Sequence, residues 1–319
     1  MSIDEFLAEW HNDSPVVMVQ TSGSTGEPKK LYVEKRRMAV SARRTCDYLG
    51  LKPGDTALLC LSTDYIAGKM MVVRSLVCDL RLVCVEPCGH PLATLTESLD
   101  FAAMVPMQVW NSLRVPEERE RLRQIRHVII GGGAIDPDLA AELADFPNSV
   151  WSTYGMTETL SHIALRRLNG SDASDWYTPF ASVSIGLTRD GCLVIDAPEV
   201  CDGRLVTNDI AEVADDGRFR ILGRKDNVIC SGGIKIQAEQ VEEQLRPYLS
   251  AMFLISRRPD EKFGEAVVLL TEGSADEARA VCQQHLPKYF QPRFYVHVDH
   301  IPLTATGKPA RKQAALLAL

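Results

Sequence analysis

Short apolar runs alternate with helical patterns over the first two thirds of the chain, and this alternation restricts the fold most. The runs TALLCLS, LRLVCVE, FAAMVP and HVIIGG are typical of buried strands. Residues 34–50 and 137–146 lie between such runs and have the pattern of helices, the first ending at Gly50. This order predicts an α/β domain with a largely parallel sheet.

An earlier apolar run, PVVMVQ, is interpreted as a further strand of that sheet, and it leads into VQTSGSTGEPKK at residues 19–30. Many such glycine- and hydroxyl-rich loops are flexible turns. The alternative is a phosphate-binding loop, in which glycines allow close approach and a lysine supplies charge. The spacing does not fit the common P-loop pattern. Ligands of parallel sheets bind beyond the carboxyl ends of strands, where we expect this loop.

The pattern changes near residue 181, where strands alternate with Asp-Gly turns in a mostly antiparallel signature. After GRKDN the order becomes helix, strand, strand, helix, strand, and a short helix is expected at the end. We predict a large N-terminal mixed α/β domain at residues 1–225 that includes the antiparallel region. A small, mobile C-terminal α+β domain is predicted at residues 226–319.

Composition excludes some classes of function. The net charge of −7 disfavours nucleic acid as a partner. The nine cysteines lack C-x-x-C spacing, which predicts a reducing compartment with neither a disulfide framework nor a zinc site. We expect a cytoplasmic protein without a signal peptide or a membrane partner.

Four further motifs follow the loop: STYGMTETLSH (152–162), NDIAEV (208–213), GRKDNVICSGGIKIQAEQVE (223–242) and PLTATGKPAR (302–311). Together with the loop, their order and spacing resemble the adenylate-forming superfamily of acyl- and aryl-CoA ligases, adenylation domains and luciferases. The resemblance implies activation of a carboxylate by ATP as an acyl-adenylate, followed by transfer to coenzyme A. It implies ATP, Mg²⁺ and coenzyme A as cofactors.

The resemblance also implies a role for each matching residue. Thr157 would meet the α-phosphate, Glu158 would hold Mg²⁺, and Lys308 would bridge the substrate carboxylate and the α-phosphate. Without the resemblance, Thr157 and Glu158 could equally be a helix N-cap and an acidic first turn, and Lys308 a solvated lysine. The β- and γ-phosphates would be bound by Ser22, Gly23, Ser24, Thr25, Gly26 and Lys29.

The remaining nucleotide contacts are implied in the same way. Asp209 would bind the ribose hydroxyls, although a lone Asp before a strand is usually a turn residue, and Arg224 would contact ribose and phosphate. Asp226 would be the hinge of the small domain. The adenine and acyl pockets would be lined by Tyr154, Gly132, Gly133 and Ala134. Within the nucleotide-binding motifs, two positions depart from the family pattern, Lys30 and Asn208.

The acid pocket resembles that of o-succinylbenzoate–CoA ligases, the menaquinone-pathway members of this superfamily. A second carboxylate on the substrate needs a cation, which Arg74 or Lys69 could supply. Arg74 could instead be a surface arginine of a helix, but its strongly apolar surroundings argue that the charge needs a partner. The other residues assigned to this pocket are Gly68, Ser161, His162 and Tyr65, which stands where the family more often has His.

One feature departs from the family. Members usually carry a long subdomain before the phosphate loop, whereas here the loop begins at Val19. We therefore expect a trimmed but active ligase that takes a small carboxylic acid, ATP and coenzyme A, and leave a homodimer open. The alternatives are another aryl- or acyl-CoA ligase, or a noncatalytic nucleotide-binding relic.

Overall fold

A computed structural model describes residues 1–20, 30–303 and 309–319. These residues form two compact units. The first comprises Met1–Ile185, Ile195–Leu205 and Ala214–Phe219, and the second Gly186–Val194, Val206–Val213 and Arg220–Leu319. The domain bounds 1–225 and 226–319 stay a prediction. Within the described part, no helix is both long and apolar enough to cross a bilayer.

The N-terminal region corrects one expectation from the sequence. Helix α1 (Ile3–His11) is followed by strands β1 (Val16–Gln20) and β2 (Lys30–Glu34), which pair antiparallel as a separate two-stranded sheet. The prediction that β1 joins the parallel sheet is therefore wrong. Burial alternates along β1, with Val17 and Val19 inside. A five-residue apolar run cannot distinguish this half-buried strand from a fully buried one.

The parallel sheet predicted for the first unit is confirmed. Its seven strands run in the order β4-β3-β5-β6-β7-β8-β9. All neighbours from β4 to β7 are parallel, whereas β8 pairs antiparallel with β7 and with β9. The bounds are β3 (Thr56–Leu59), β4 (Arg81–Cys84), β5 (Phe101–Met104), β6 (His127–Ile130), β7 (Ser149–Gly155), β8 (His162–Arg167) and β9 (Thr178–Pro179).

Helices connect these strands, and their ends follow from local sequence. The helix predicted at residues 34–50 is confirmed, and it ends at Gly50, whose φ of 65° is left-handed. Three later helices each begin with a proline at their first position, where no N–H is needed. The bounds are α2 (Lys35–Leu49), α3 (Ile66–Cys78), α4 (Pro106–Leu113), α5 (Pro116–Gln124) and α6 (Pro137–Leu143).

A four-stranded sheet follows in which the strand order is the chain order. Its strands are β10 (Ser184–Leu187), β11 (Cys192–Asp196), β12 (Arg204–Val213) and β13 (Phe219–Arg224). The turn between the last two closes with hydrogen bonds between Ala214 and residues 217 and 218. It uses Gly217, whose φ is 83°, in agreement with the predicted Asp-Gly turn.

The second unit contains a five-stranded sheet of order β15-β14-β17-β16, with the last strand, β18, parallel to β17. The predicted order of helix, strand, strand, helix and strand is confirmed from Ala238 onwards, but the prediction missed two strands that precede this helix, Val228–Ser231 and Ile234–Gln237. Arg311 fixes the final helix through a buried pair with Glu242, whose Oε2 lies 2.6 Å from Arg311 Nη2. The bounds are β14 (Val228–Ser231), β15 (Ile234–Gln237), α7 (Ala238–Leu245), β16 (Phe253–Asp260), β17 (Gly264–Thr271), α8 (Ala275–His285), β18 (Phe294–His297) and α9 (Arg311–Leu317).

Candidate functional site

Part of the predicted nucleotide site lies outside the described residues, in the intervals 21–29 and 304–308. Described residues lie on both sides of each interval. Strands β1 and β2 border the first, and a bridge between Leu303 and Pro309 borders the second. The predicted roles that fall there stay predictions. They concern Ser22, Gly23, Ser24, Thr25, Gly26, Lys29 and Lys308.

The residues predicted near adenine lie at the carboxyl ends of two neighbouring parallel strands. Gly132, Gly133 and Ala134 begin two residues after the end of β6, and Tyr154 is the penultimate residue of β7. Because parallel strands end at the same edge of a sheet, the fold brings the two stretches together. Gly132 has a φ of 76°, in the left-handed region where glycine is favoured.

Tyr154 belongs to an aromatic cluster. Its ring centroid lies 5.1 Å from that of Phe219 in a T-shaped arrangement and 5.8 Å from that of Tyr177. The Tyr177 hydroxyl lies 2.8 Å from the Ser152 hydroxyl, which fixes the neighbouring ring. Half-buried Tyr154 is therefore held from the protein side, as a stacking partner for a base would be.

Thr157 and Glu158 open a short 3-10 helix directly after β7, so Thr157 is its first residue rather than its N-cap. Thr159 stabilises the turn: its hydroxyl accepts from the Met156 N–H at 3.0 Å and donates to the Ser161 carbonyl at 2.8 Å. The Glu158 carboxylate is exposed.

Among the described residues, no cluster of three or more potential metal-binding side chains occurs. A magnesium ion here would therefore have to take most of its oxygens from phosphate, and a single exposed carboxylate fits that arrangement. In that case Glu158 would hold the ion, which supplies charge neutralisation at the phosphates.

The predicted ribose contacts come together within the second unit. Arg224 Nη1 lies 3.0 Å from Asp209 Oδ1, and Arg224 Nη2 lies 3.2 Å from Asp226 Oδ2. Asp209 lies inside β12, so its interpretation as a turn residue is wrong. The buried Thr207 hydroxyl accepts from the Asp209 N–H at 3.0 Å. Asp226 is exposed in a 3-10 helix (Lys225–Asn227), and its hinge role stays a prediction.

The residues predicted for the acid pocket begin at the start of α3. Tyr65 is the exposed N-cap residue, and its side chain makes no capping hydrogen bond. Gly68 is required by packing, because a Cβ at this position would lie 2.3 Å from the Ser62 carbonyl oxygen. The matched glycine therefore allows the helix to approach the preceding loop.

Lys69 is buried and bound by the N-terminal elements. Its ammonium donates to the Met18 carbonyl at 2.8 Å, lies 3.6 Å from a Glu9 carboxylate oxygen and sits 5.0 Å from the centroid of the Phe6 ring. Burial lowers the pKa of Lys69, although Glu9 opposes this shift. The other oxygen of Glu9 accepts from the Met18 N–H at 2.9 Å.

Arg74 is 2% exposed and has a different environment. Its Nη2 donates to Ser161 Oγ at 2.6 Å and its Nη1 contacts Met71 Sδ at 3.6 Å. Among the residues that the structure describes, Nε has no hydrogen-bond partner and no carboxylate pairs with the guanidinium. Burial lowers the pKa of Arg74 to about 10. Among the described residues, the buried charge therefore has no opposite charge, which is costly in a folded protein.

His162 lies beside Arg74 and is also buried. Its Nδ1 is 3.3 Å from Ser161 Oγ and its Nε2 is 3.1 Å from Thr45 Oγ1. Burial, and then the charges of Arg74 and Arg44, hold the pKa of His162 well below its ordinary value of 6.5, so the ring is neutral. Its predicted role in direct substrate binding stays a prediction, and both ring nitrogens already have protein neighbours.

Sequence reasoning missed three residues of these clusters: Glu9, Thr45 and Tyr177. Tyr177 lies outside every motif, and Glu9 looks like any acidic residue of an amphipathic helix. Thr45 is polar on the inward face of α2, and this was the only signal that could have suggested it. A concavity of about 260 Å³ elsewhere in the first unit is lined in part by Arg166, Arg167 and Asp175, and none of the predicted site residues lines it.

Known proteins resemble this chain in sequence. A family model described as "AMP-binding enzyme" matches residues 4–199. The chain is 28% identical over 284 residues to 2-succinylbenzoate–CoA ligase of Salmonella typhimurium, which covers 84% of this chain and 60% of that protein.

Solved structures show the same fold. A protein from Dyadobacter fermentans, described as an acyl-CoA synthetase (AMP-forming)/AMP-acid ligase II-like protein, is 33% identical with a TM-score of 0.67, and the match covers 99% of this chain and 93% of that one. O-succinylbenzoate coenzyme A synthetase (MenE) from Bacillus subtilis, in complex with ATP and magnesium ion, is 23% identical with a TM-score of 0.73, over 93% of this chain and 69% of that one. With most of the chain matched in sequence and in fold, the protein belongs to the AMP-binding enzyme family.

Proposed function

We propose that this protein activates a carboxylic acid with ATP as an acyl-adenylate and transfers the acyl group to coenzyme A, with o-succinylbenzoate as the acid. Family membership and the preserved order of the five motifs support the class of reaction. The relative from Salmonella supports the choice of acid, although this chain spans 60% of its length.

The buried guanidinium of Arg74 is the observation that carries the choice of a diacid. A desolvated charge normally needs an opposite charge and filled hydrogen-bonding positions, and among described residues Arg74 has one hydroxyl. A substrate carboxylate that is not activated would supply the missing partner. Lys69 is a poorer candidate because Glu9 and the Met18 carbonyl already engage it.

The proposed chemistry has two steps. A carboxylate oxygen of the acid attacks the α-phosphorus of ATP, and pyrophosphate leaves. The sulfur of coenzyme A then attacks the acyl carbon, the acyl–phosphate bond breaks, and AMP leaves. Asp209 and Arg224 would hold the ribose during both steps, Thr157 would donate to the α-phosphate, and Lys308 would stabilise charge in the first.

The test compares pyrophosphate release with o-succinylbenzoate, benzoate and a fatty acid, and detects the thioester by mass spectrometry. We expect o-succinylbenzoate to give the highest kcat/KM and a thioester with coenzyme A. Preference for either monoacid would assign the protein to the broader aryl- or acyl-CoA ligases. Nucleotide binding without pyrophosphate release from any acid would indicate a noncatalytic member.

A further inference from the structure

A chain of four hydrogen-bonding contacts connects Arg74 on α3 with the backbone of α2. Arg74 Nη2 lies 2.6 Å from Ser161 Oγ, which lies 3.3 Å from His162 Nδ1. His162 Nε2 lies 3.1 Å from Thr45 Oγ1, and this oxygen lies 3.2 Å from the Ser41 carbonyl oxygen. All of these groups belong to the first compact unit, and Thr45 is completely buried.

The two ends of this hydrogen-bond chain determine which atom donates and which accepts in each contact. A carbonyl oxygen can only accept, so the Thr45 hydroxyl donates to Ser41, and its oxygen is then the acceptor for an N–H at His162 Nε2. A neutral imidazole protonated at Nε2 has a bare Nδ1, which accepts the Ser161 O–H. The Ser161 oxygen is then left to accept from Arg74, whose guanidinium can only donate.

We infer that Thr45 and His162 are positioning residues that orient the Arg74 guanidinium through Ser161. In this hydrogen-bond chain each donated hydrogen has one acceptor. The Ser161 hydroxyl therefore cannot turn its proton towards Arg74 without breaking the contact with His162. The guanidinium therefore has a fixed acceptor on one side, and its Nε, which lacks a partner among the described residues, is a donor left for another group. Since the other group would be the substrate's second carboxylate, the inference rests on the proposed function.

The test uses Thr45→Val, which keeps the shape of the side chain but removes the acceptor for His162 Nε2. With o-succinylbenzoate we expect kcat/KM to fall about tenfold, mainly through a higher KM for the acid, because a buried N–H loses its partner. The KM for ATP should not change. A methyl ester of the succinyl carboxylate should lose much less, and Thr45→Ser should restore the wild-type values.

Ser112→Ala is the matched control. Ser112 is a fully buried hydroxyl of the same unit that donates to Glu118 at 3.0 Å and lies outside the site. We expect this variant to be less stable without changing the ratio of kcat/KM between the diacid and its ester. An equal change of that ratio in Ser112→Ala and Thr45→Val would show a general effect of instability and overturn the inference.

A second measurement does not depend on activity. In protein labelled with ¹³C and ¹⁵N at histidine, the His162 ring, assigned by its loss in His162→Gln, should show a proton on Nε2 and none on Nδ1. Thr45→Val should abolish this single tautomer. A wild-type ring protonated at Nδ1 would overturn the inference. If no acid releases pyrophosphate, the proposed function fails, and these spectra alone decide whether the hydrogen-bond chain exists.

Discussion

Arg74 and Lys69 are two cations of one helix, five positions apart, and the structure gives them different partners. Lys69 faces Glu9 and a backbone carbonyl, whereas Arg74 has one hydroxyl and no opposite charge among the residues described. A charge that is unsatisfied in the free protein destabilises it and is retained when a ligand uses it. This difference leads to opposite predictions for the two residues.

Arg74→Met should separate function from stability. We expect kcat/KM for o-succinylbenzoate to fall by a factor equivalent to about 2–5 kcal/mol of transition-state stabilisation, which is the range for removing one partner of a buried charge pair. The value for its methyl ester should change little. The free energy of unfolding of the ligand-free protein should be unchanged or higher, because an uncompensated buried charge is removed. Urea denaturation and steady-state kinetics measure the two effects. A less stable variant with equal losses on diacid and ester would mean that Arg74 is structural.

His162 should make the stability of the first unit dependent on pH. Its pKa in the folded protein lies well below 6.5, so below pH 6.5 the unfolded chain takes up a proton that the folded protein does not. The free energy of unfolding should therefore fall as the pH decreases below 6.5, by up to about 1.4 kcal/mol per pH unit.

The comparison is between wild type and His162→Gln at pH 7.5 and 5.5. Tryptophan fluorescence follows this unit, because Trp10, Trp110, Trp151 and Trp176 all lie in it. The wild type should lose more stability between the two pH values than the variant. Equal losses would show that other groups, such as the partly buried His127, cause the dependence.

At the scale of secondary-structure elements, side chains form hydrogen bonds with the backbone of β1 on the edge that β2 does not cover. Met18 donates its N–H to Glu9 and accepts from Lys69, so α1 and α3 hold the strand from the side opposite β2. β1 is also the strand that leads into the predicted phosphate loop. The position of this strand therefore depends on two charged residues from other elements.

Lys69→Met should destabilise the first unit by about 1–3 kcal/mol, because Glu9 and the Met18 carbonyl lose a donor. The double variant Glu9→Leu/Lys69→Met should recover part of this loss, since both charges are removed together. Any loss of kcat/KM should be equal for the diacid and its methyl ester. A selective loss on the diacid would instead transfer the role of Arg74 to Lys69.

At the scale of the whole molecule, the predicted hinge role of Asp226 requires the small domain to change its orientation between acyl-adenylate formation and thioester formation. Asp226 lies in the exposed 3-10 helix that follows β13 and accepts a hydrogen bond from Arg224. Proline at this position would restrict both its own φ and the preceding residue.

Asp226→Pro should leave pyrophosphate release near the wild-type rate and strongly reduce thioester formation from preformed acyl-adenylate. Asp226→Ala is the control, because it also loses the carboxylate but keeps a flexible backbone. Measuring the half-reactions separately decides the matter. Thioester formation at the wild-type level in the proline variant would mean that the hinge lies elsewhere.

Local patterns in the sequence were sufficient for much of the fold. Strands β3 to β6, the end of α2 at Gly50 and the order of elements from α7 onwards follow from apolar periodicity and backbone preferences, which neighbouring residues largely determine, whereas β14 and β15 were not predicted. The motifs identified the family for a similar reason, since they preserve residue types and spacing. Asp209 and Arg224 were named from the sequence, and the structure places them in contact.

The tertiary structure decided what periodicity cannot encode. Whether β1 joins the parallel sheet depends on its partner strand, and an apolar run of five residues is compatible with either arrangement. The sequence suggested either Arg74 or Lys69 as the cation of the acid pocket. The fold pairs Lys69 with Glu9 and leaves Arg74 without a carboxylate among the described residues. Thr45 gained a role only because α2 places it against His162, which is 117 residues away in the chain. Desolvation and pairing depend on three-dimensional neighbours, so only the folded chain determines which polar groups are satisfied.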